Sequence, residues 1–185
     1  SATFTFDWHY DLGLEYNREG VFDPTTFFIG YFFPRIATYS DTDTGLLAGW
    51  DLEEYTYRSG RELHNDFADF TYSVTVPKNF LVWGTGELQN PDEVLQPEAA
   101  QRLLESRTSD DIITVATPEE LQAGLITTQT ETVMWRWKAD NVTDVALGVS
   151  DHYAWDAGSV VADPATDRRV SVHAAYSPEF ADFDR

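Results

Sequence analysis

The residues able to hold a metal ion or to move a proton at neutral pH are few in this chain. It has four histidines, His9, His64, His152 and His173. No two of them stand four residues apart with a glutamate between, the spacing that places two zinc ligands on one face of a helix. The chain has no cysteine, which excludes disulfides, thiolate zinc sites and thiol nucleophiles. We therefore predict no metal site and interpret the histidines as structural.

The string DTDTG at residues 41–45 is the best candidate for a cation site. Aspartates at alternate positions followed by a glycine resemble the beginning of a calcium-binding loop. Leu46 and Leu47 follow where such a loop needs polar ligands, and no glutamate stands at the twelfth position. A solvated acidic turn is the favoured interpretation. Calcium binding by Asp41 and Asp43 stays open.

The motifs of nucleophilic catalysis and of phosphate binding do not occur. The sequence contains no Gly-x-Ser-x-Gly segment, and Gly84-Thr-Gly86 is followed neither by a third glycine nor by a helix start. A nucleophile, a base and a group that orients the base cannot be named together. We predict that this chain alone is not an enzyme and that it has no catalytic residue and no cofactor of its own.

The charge balance restricts the partners. Thirty-two acidic residues stand against twelve basic ones, for a formal net charge of −20. Such a surface repels phosphate backbones, so no nucleic-acid partner is expected. No apolar run is long enough to cross a bilayer, so no membrane partner is expected either. Only Lys78 and Lys138 accompany ten arginines, which is typical either of a salt-adapted source or of an acidic exported protein.

Apolar periodicity predicts that residues 1–185 form one mostly β domain. Residues 4–12 alternate with period two, which predicts a half-buried strand, and the continuous apolar run 27–33 predicts a strand buried on both faces. Residues 67–76 and 80–88 predict an antiparallel hairpin across a short turn. Gly84 and Gly86 inside that second strand indicate a bulge or a close backbone approach.

The middle of the chain changes to helical spacing. Residues 97–106 place apolar side chains on one helical face, and residues 117–124 show an N-cap threonine, a proline in the first turn and a closing glycine. Further strands are predicted at 127–138, 145–150 and 169–175. The predicted fold class is a curved sheet or β-sandwich, saddle-like, with two short helices in a mid-chain insertion.

Five strings of the sequence, taken in order, resemble one protein family. They are FPRIATYSD at 33–41, DFTYSVTVPKN at 69–79, WGTGELQNP at 83–91, KADNVTD at 138–144 and SDHYAW at 150–155. Together they resemble the N-terminal domain of bacterial zinc metallopeptidases of the aminopeptidase N family, the gluzincins. The similarity covers residues 27–177, most of the chain.

This resemblance implies a fold, a role and partners. In that family the N-terminal domain is a saddle-shaped β domain that packs beside a thermolysin-like catalytic domain and helps to close the substrate cleft. The implied role is non-catalytic, and the implied partners are the catalytic domain of the same polypeptide and a peptide substrate. Zinc would belong to that catalytic domain, expected after residue 185, because its His-Glu-x-x-His and Gly-x-Met-Glu-Asn motifs do not occur here. Family members are usually exported, which implies a periplasmic or secreted location, although no signal peptide opens the sequence.

The resemblance also implies where the substrate cleft would be approached. Family members often carry a glutamine just before the Pro-Arg-Ile-Ala string, where it helps to hold the free amino group of the substrate. This sequence has Gly30, Tyr31 and Phe32 there instead. Tyr31, Phe32 and Arg35 are therefore the candidate residues at the cleft edge, and the departure puts strict aminopeptidase character of the parent protein in question.

A stand-alone binding module is the alternative function. Aromatic residues make up 15% of the chain, enough for the aromatic platform on which a carbohydrate-binding β-sandwich stacks sugars. The tryptophans Trp50, Trp83, Trp135, Trp137 and Trp155 discriminate between the two functions. Buried tryptophans favour the peptidase domain, and a coplanar exposed pair favours sugar binding.

Overall fold

The computed structural model describes residues 2–14, 19–37, 39–41, 49–50 and 65–180. Twelve strands lie in these ranges: β1 (Gly20–Asp23), β2 (Thr26–Gly30), β3 (Tyr39–Ser40), β4 (Gly49–Trp50), β5 (Ala68–Pro77), β6 (Leu81–Gly84), β7 (Glu87–Leu88), β8 (Ile113–Ala116), β9 (Thr132–Val142), β10 (Ala146–Ser150), β11 (Ala154–Asp163) and β12 (Arg168–Tyr176). The α-helices of the same ranges are α1 (Pro91–Val94), α2 (Pro97–Ser106) and α3 (Pro118–Gln122), and a 3-10 turn spans Pro178–Phe180.

The strands form three main antiparallel sheets. The first sheet has the order β1-β2-β10-β6, the second β5-β9-β7 and the third β12-β11-β8, while β3 and β4 pair separately. This arrangement confirms the predicted fold class, mostly β and sandwich-like.

The second sheet shows how the sequence pattern makes one face apolar. Because side chains alternate along a strand, Val133, Trp135 and Trp137 of β9 point to the same face, and all three are buried. Across the strand pair, Val74 lies opposite Trp135 and Tyr72 opposite Trp137. The apolar face of this sheet therefore packs into the interior, and the opposite face exposes mostly polar side chains, together with Met134.

One buried cluster joins the three sheets and the helices. It contains Leu147 and Val149 of the first sheet, Trp135 of the second and Trp155 of the third, together with side chains from α2 and α3. A buried tryptophan removes on the order of 200 Å² from water, which stabilises the fold by several kcal/mol. The core thus lies between the sheets and under the helical excursion.

The two predicted helices are confirmed. In α2, Ala99, Ala100 and Leu103 are buried, as the spacing predicts, but Leu104 is exposed. In α3, the Thr117 side chain accepts a hydrogen bond from the Glu120 amide, and the Glu120 carboxylate accepts one from the Thr117 amide. This reciprocal capping box satisfies amides that the first helical turn otherwise leaves unpaired.

The short helix α1 was not predicted, although its sequence contains a signal. Pro91 occupies the first helical turn, and two acidic residues follow it. The side chain of the preceding Asn90 is buried: it donates to the Met134 carbonyl at 2.9 Å and accepts from the Arg136 amide at 2.9 Å. Asn90 therefore fixes α1 to β9.

The predicted strand at residues 4–12 is wrong. Phe4, Phe6, Trp8 and Tyr10 are exposed, and the segment forms no strand. Alternation supplies an apolar face, but a strand also needs a neighbour that takes up its backbone hydrogen bonds. The contact with β1 comes just after this segment, where the Val21 amide donates to the Gly13 carbonyl at 3.1 Å.

The predicted hairpin of residues 67–76 with 80–88 is also wrong. Strand β5 pairs with β9, whereas β6 pairs with β10 in the other sheet. At the turn between them, Asn79 has a left-handed backbone (φ 66°), and its amide donates to the Thr127 hydroxyl at 2.9 Å. Gln129 donates to the Asn79 side chain at 2.8 Å. These contacts with the segment before β9 direct the chain from one sheet into the other.

The strand predicted at 27–33 is shorter than expected and is not buried on both faces. It ends at Gly30 because Tyr31 adopts a left-handed backbone with φ 55°. Phe27 and Ile29 are half-buried against the core, whereas Phe28 between them is exposed. The continuous apolar run is therefore not a strand covered on both sides.

Strands β8 and β11 were not predicted. Gly158 of β11 lies where a Cβ atom would come close to Ile112.

The close approach predicted at Gly84 and Gly86 is confirmed. A Cβ atom at Gly84 would meet the Tyr72 hydroxyl, and one at Gly86 would collide with the backbone carbonyl of Lys138. Gly86 also has φ +99°, a conformation that costs a side-chain-bearing residue strain. The two glycines let the chain pass from β6 to β7 directly against β9.

No helix of the described ranges is long and apolar enough to cross a membrane.

We expect Gly86→Ala to lower the free energy of unfolding by about 2 kcal/mol or more, because strain and a backbone clash add at this position. Urea denaturation followed by tryptophan fluorescence measures the loss. Gly13→Ala is the matched control, since a Cβ atom there meets nothing within 4 Å. Equal effects of the two substitutions would show that the close approach at Gly86 is not required.

Candidate functional site

The structure brings the three predicted cleft-edge residues together in the loop that follows β2. Tyr31 is the first residue of this loop, and Arg35 lies with its guanidinium carbon 4.8 Å from the centre of the Tyr31 ring. The same carbon is 4.8 Å from the centre of the Phe33 ring. Both distances are within the range of cation–π attraction. Phe32 packs against the core and meets Phe33 edge-on at 5.4 Å.

Arg35 is bound on several sides. One terminal nitrogen donates to Asp144 at 2.7 Å, and the other donates to the Asn65 side chain. Only 19% of the Arg35 side chain is accessible to solvent. Arg35 therefore connects the loop after β2 to the turn between β9 and β10. It is a positioning residue for this corner, and Tyr31 is the side chain that it supports.

We expect the Arg35–Asp144 pair to stabilise the fold by coupling. A double-mutant cycle with Arg35→Gln and Asp144→Asn, measured by urea denaturation, should give a coupling energy of about 1 kcal/mol or more, because the pair is partly shielded from water. The Lys138–Asp140 pair is the matched control. It has a similar N–O distance of 2.7 Å, but both side chains are at least half exposed, and we expect no measurable coupling. Equal coupling in both cycles would contradict this assignment.

The three histidines that the structure describes do not lie together. His9 lies in the exposed segment before β1, His64 lies outside the described residues, and His152 and His173 occupy separate places. Among the residues that the structure describes, no group of three or more histidine, aspartate or glutamate side chains could hold a metal ion. Of the proposed calcium ligands, Asp41 is described and exposed, and Asp43 lies outside the described residues. Calcium binding there stays a prediction.

His152 sits between two carboxylates. Its Nδ1 atom is 2.7 Å from Asp151, and its Nε2 atom is 3.3 Å from Asp23. Burial disfavours the charged form of Asp23, but hydrogen bonds from Thr25 and Thr26 and the nearby imidazole outweigh that cost and lower the pKa of its carboxyl group. This cluster connects the turn between β1 and β2 to the loop between β10 and β11.

The cluster is not a nucleophilic triad. The Ser150 hydroxyl is 3.4 Å from His152 Nδ1 and 2.9 Å from the Thr26 hydroxyl. Ser150 is fully buried, so its oxygen cannot reach a substrate. The arrangement of serine, histidine and aspartate serves to connect two loops.

A groove lies over one face of the first sheet and is also lined by His173 and Ala175 of β12. Its volume is about 660 Å³. The floor is formed by the small residues Ala146 and Gly148 of β10, and the walls include Phe28 and Trp83 on the two neighbouring strands. Tyr153 closes one end, with its ring centre 6.4 Å from that of Trp83. The groove is therefore aromatic on its sides and nearly flat at its base.

Sequence analysis did not find this groove. Two signals could have pointed to it, a glycine in the middle of the apolar strand at 146–150 and Tyr153 in the SDHYAW string. Neither predicts a groove by itself, because which strands flank β10 is decided by pairing between distant parts of the chain. The groove depends on β6 and β2 lying on opposite sides of β10.

His173 lies between this groove and the core. It belongs to the exposed strand β12, yet its Nδ1 atom accepts a hydrogen bond from the Trp155 indole at 3.1 Å. Loss of hydration against the neighbouring rings, and then the charge of Arg107, lower the pKa of His173 below its usual value. The neutral imidazole is the form that can accept from Trp155.

We expect acid to destabilise the fold through His173. The unfolded chain takes up a proton at the ordinary pKa of about 6.5, before the folded chain does, so the free energy of unfolding falls as the pH drops through that value. Urea denaturation between about pH 7.5 and pH 5.5 measures this slope. His173→Gln, which keeps an acceptor and cannot titrate, should reduce the slope, and His9→Gln in the exposed segment should not. An unchanged slope in His173→Gln would contradict the assignment.

Comparison of the chain with models of known protein families, with curated proteins and with solved structures found no match.

Proposed function

We propose that this chain is a non-catalytic domain of a zinc metallopeptidase related to aminopeptidase N. In this proposal it packs on the catalytic domain of the same polypeptide and forms one wall of the cleft that takes a peptide substrate. Zinc in that catalytic domain activates a water molecule, with a glutamate as general base. Both groups lie outside residues 1–185. Tyr31 and Phe32, supported by Arg35, form the cleft edge contributed by this chain.

The observation that best supports an interdomain role is the uncovered ribbon formed by β11 and β12. Strand β12 is the edge of the third sheet, and most of its side chains are exposed on both faces. Exposed valines stand on both strands of the ribbon, at Val160, Val161, Val170 and Val172. An apolar edge strand exposed to water is a site of pairing with another chain segment or of aggregation. A neighbouring domain that covers the ribbon removes this liability.

The orientation of the tryptophans favours this proposal over a carbohydrate-binding module. Trp135, Trp137 and Trp155 are buried in the core, and Trp83 is half-buried and meets Trp155 edge-on. Trp50 is exposed, but it meets Tyr39 at an angle of 67° instead of lying parallel to another ring. The tryptophans of the described ranges do not form a coplanar exposed pair. The order of the five strings that resemble the peptidase domain adds sequence support.

The first test is the gene and the metal content. We expect the reading frame to continue beyond Arg185 into a His-Glu-x-x-His motif with a glutamate about twenty residues later. Residues 1–185 alone should hydrolyse no aminoacyl p-nitroanilide and should retain no zinc after dialysis, as measured by atomic absorption. A stop codon after Arg185, or one equivalent of zinc bound per chain, would contradict the proposal.

A second experiment tests whether the β11–β12 ribbon forms the interface with the catalytic domain. Residues 1–185 and the downstream domain, produced separately, should associate in isothermal titration calorimetry. Val172→Asp places a charge on the ribbon and should abolish that association. Thr71→Asp is the matched control, because Thr71 is exposed on the polar face of the second sheet. Equal binding by both variants would remove the ribbon from the interface.

A further inference from the structure

The walls of the groove stand at a defined distance from each other. Gly148 of β10 pairs with Phe28 on one side and with Trp83 on the other. Residues directly opposite each other in antiparallel strands project their side chains to the same face. Phe28 and Trp83 therefore flank a position that has no side chain. Since neighbouring strands are about 4.8 Å apart, the two wall residues are separated by about 10 Å at the backbone. A slot of this width admits one flat group.

The end of the groove carries negative charge. Asp23 follows the groove residue Phe22 in sequence, and its carboxylate lies 3.3 Å from His152, whose ring centre is 5.3 Å from that of the groove residue Tyr153. Asp23 and Asp151 both contact His152. Two carboxylates against at most one imidazolium leave this end negative in either protonation state of the histidine. The chain as a whole has a formal charge of −20, so the wider field also attracts cations.

We propose that this groove binds the arginine side chain of a partner polypeptide, with the guanidinium between Phe28 and Trp83 over Gly148 and its charge towards Asp23. A guanidinium is planar, weakly hydrated and always charged, and it stacks on aromatic faces while donating to carboxylates. A lysine ammonium is more strongly hydrated and does not fill a flat slot. A neutral sugar or an aromatic side chain gains nothing from the negative end. This site is distinct from the cleft edge at Tyr31 and does not depend on the peptidase proposal.

The ligand test compares peptides that differ in one side chain. Isotopically labelled chain is titrated with acetyl-Gly-Arg-Gly-amide and followed by heteronuclear NMR. We expect saturable shifts in the amides of Phe28, Gly148 and Tyr153. The same peptide with citrulline, a neutral group of the same shape, should bind about tenfold more weakly, because it lacks the cation–π and carboxylate attraction. The lysine peptide should also bind more weakly than the arginine peptide.

Variants of the slot separate binding from stability. Gly148→Leu fills the slot, and its Cβ atom meets only Trp83, at an ordinary contact distance of 3.8 Å. This variant should lose the arginine shifts while its urea midpoint stays unchanged or rises. Phe28→Ala removes one exposed wall and should weaken binding, as should Asp23→Asn. Leu104→Ala, at an exposed apolar residue of α2, is the control that keeps binding.

Several results would overturn the proposal. Equal affinity for the citrulline peptide would mean that charge plays no part. Stronger binding of a phenylalanine peptide or of cellotriose would assign the groove to an apolar side chain or to a sugar. The absence of saturable shifts with the arginine peptide, or full binding by Gly148→Leu, would exclude the slot as the site. None of these results bears on the reading frame, the zinc content or the association through the ribbon, so the two proposals fail separately.

Discussion

Burial of Trp155 is the interaction on which the arrangement of the sheets depends. This residue lies on β11 of the third sheet, and its ring meets Trp83 of the first sheet edge-on at 6.2 Å. Its indole nitrogen donates to His173 on β12. A single side chain thus contacts a strand of another sheet and the edge strand of its own. The other indole groups differ, since those of Trp83, Trp135 and Trp137 are buried and have no hydrogen-bond partner among the described residues. Each unpaired indole N–H costs about 1–3 kcal/mol, which apolar burial of the rings must exceed.

The charge of the chain makes this apolar interior necessary. A formal charge of −20 repels itself in the compact state. Exposed ion pairs such as Arg136 with Glu93 and Lys138 with Asp140 offset little of that repulsion. The Arg35–Asp144 pair is better shielded from water than these exposed pairs. It connects the loop after β2 to the turn before β10. Stability therefore comes from the buried cluster, and the charged groups mainly decide which surfaces attract cations.

The sequence predicts the local elements better than their partners. The capping box at Thr117 and the close approach at Gly86 depend on a few neighbouring residues, and both are present. The hairpin predicted across residues 77–79 fails because the contacts that decide the path of the chain come from Thr127 and Gln129, some fifty positions away. The segment 4–12 has the right alternation but lacks a paired neighbour among the described strands. Alternation determines which face of a strand is apolar, and pairing determines whether the strand forms.

The candidate sites follow the same division. The candidate cleft-edge residues are close in sequence, so a single sequence pattern could predict them as one site. These residues are Tyr31, Phe32 and Arg35. The groove could not be found in this way, because its two walls come from β2 and β6 and become neighbours only through β10. The strand order explains why Gly148 forms the floor of a slot. In the sequence it is an ordinary small residue of a strand, but in the sheet Phe28 and Trp83 lie on its two sides. Ligand binding in such a slot therefore depends on the order of the strands, and motifs along the chain do not reveal it.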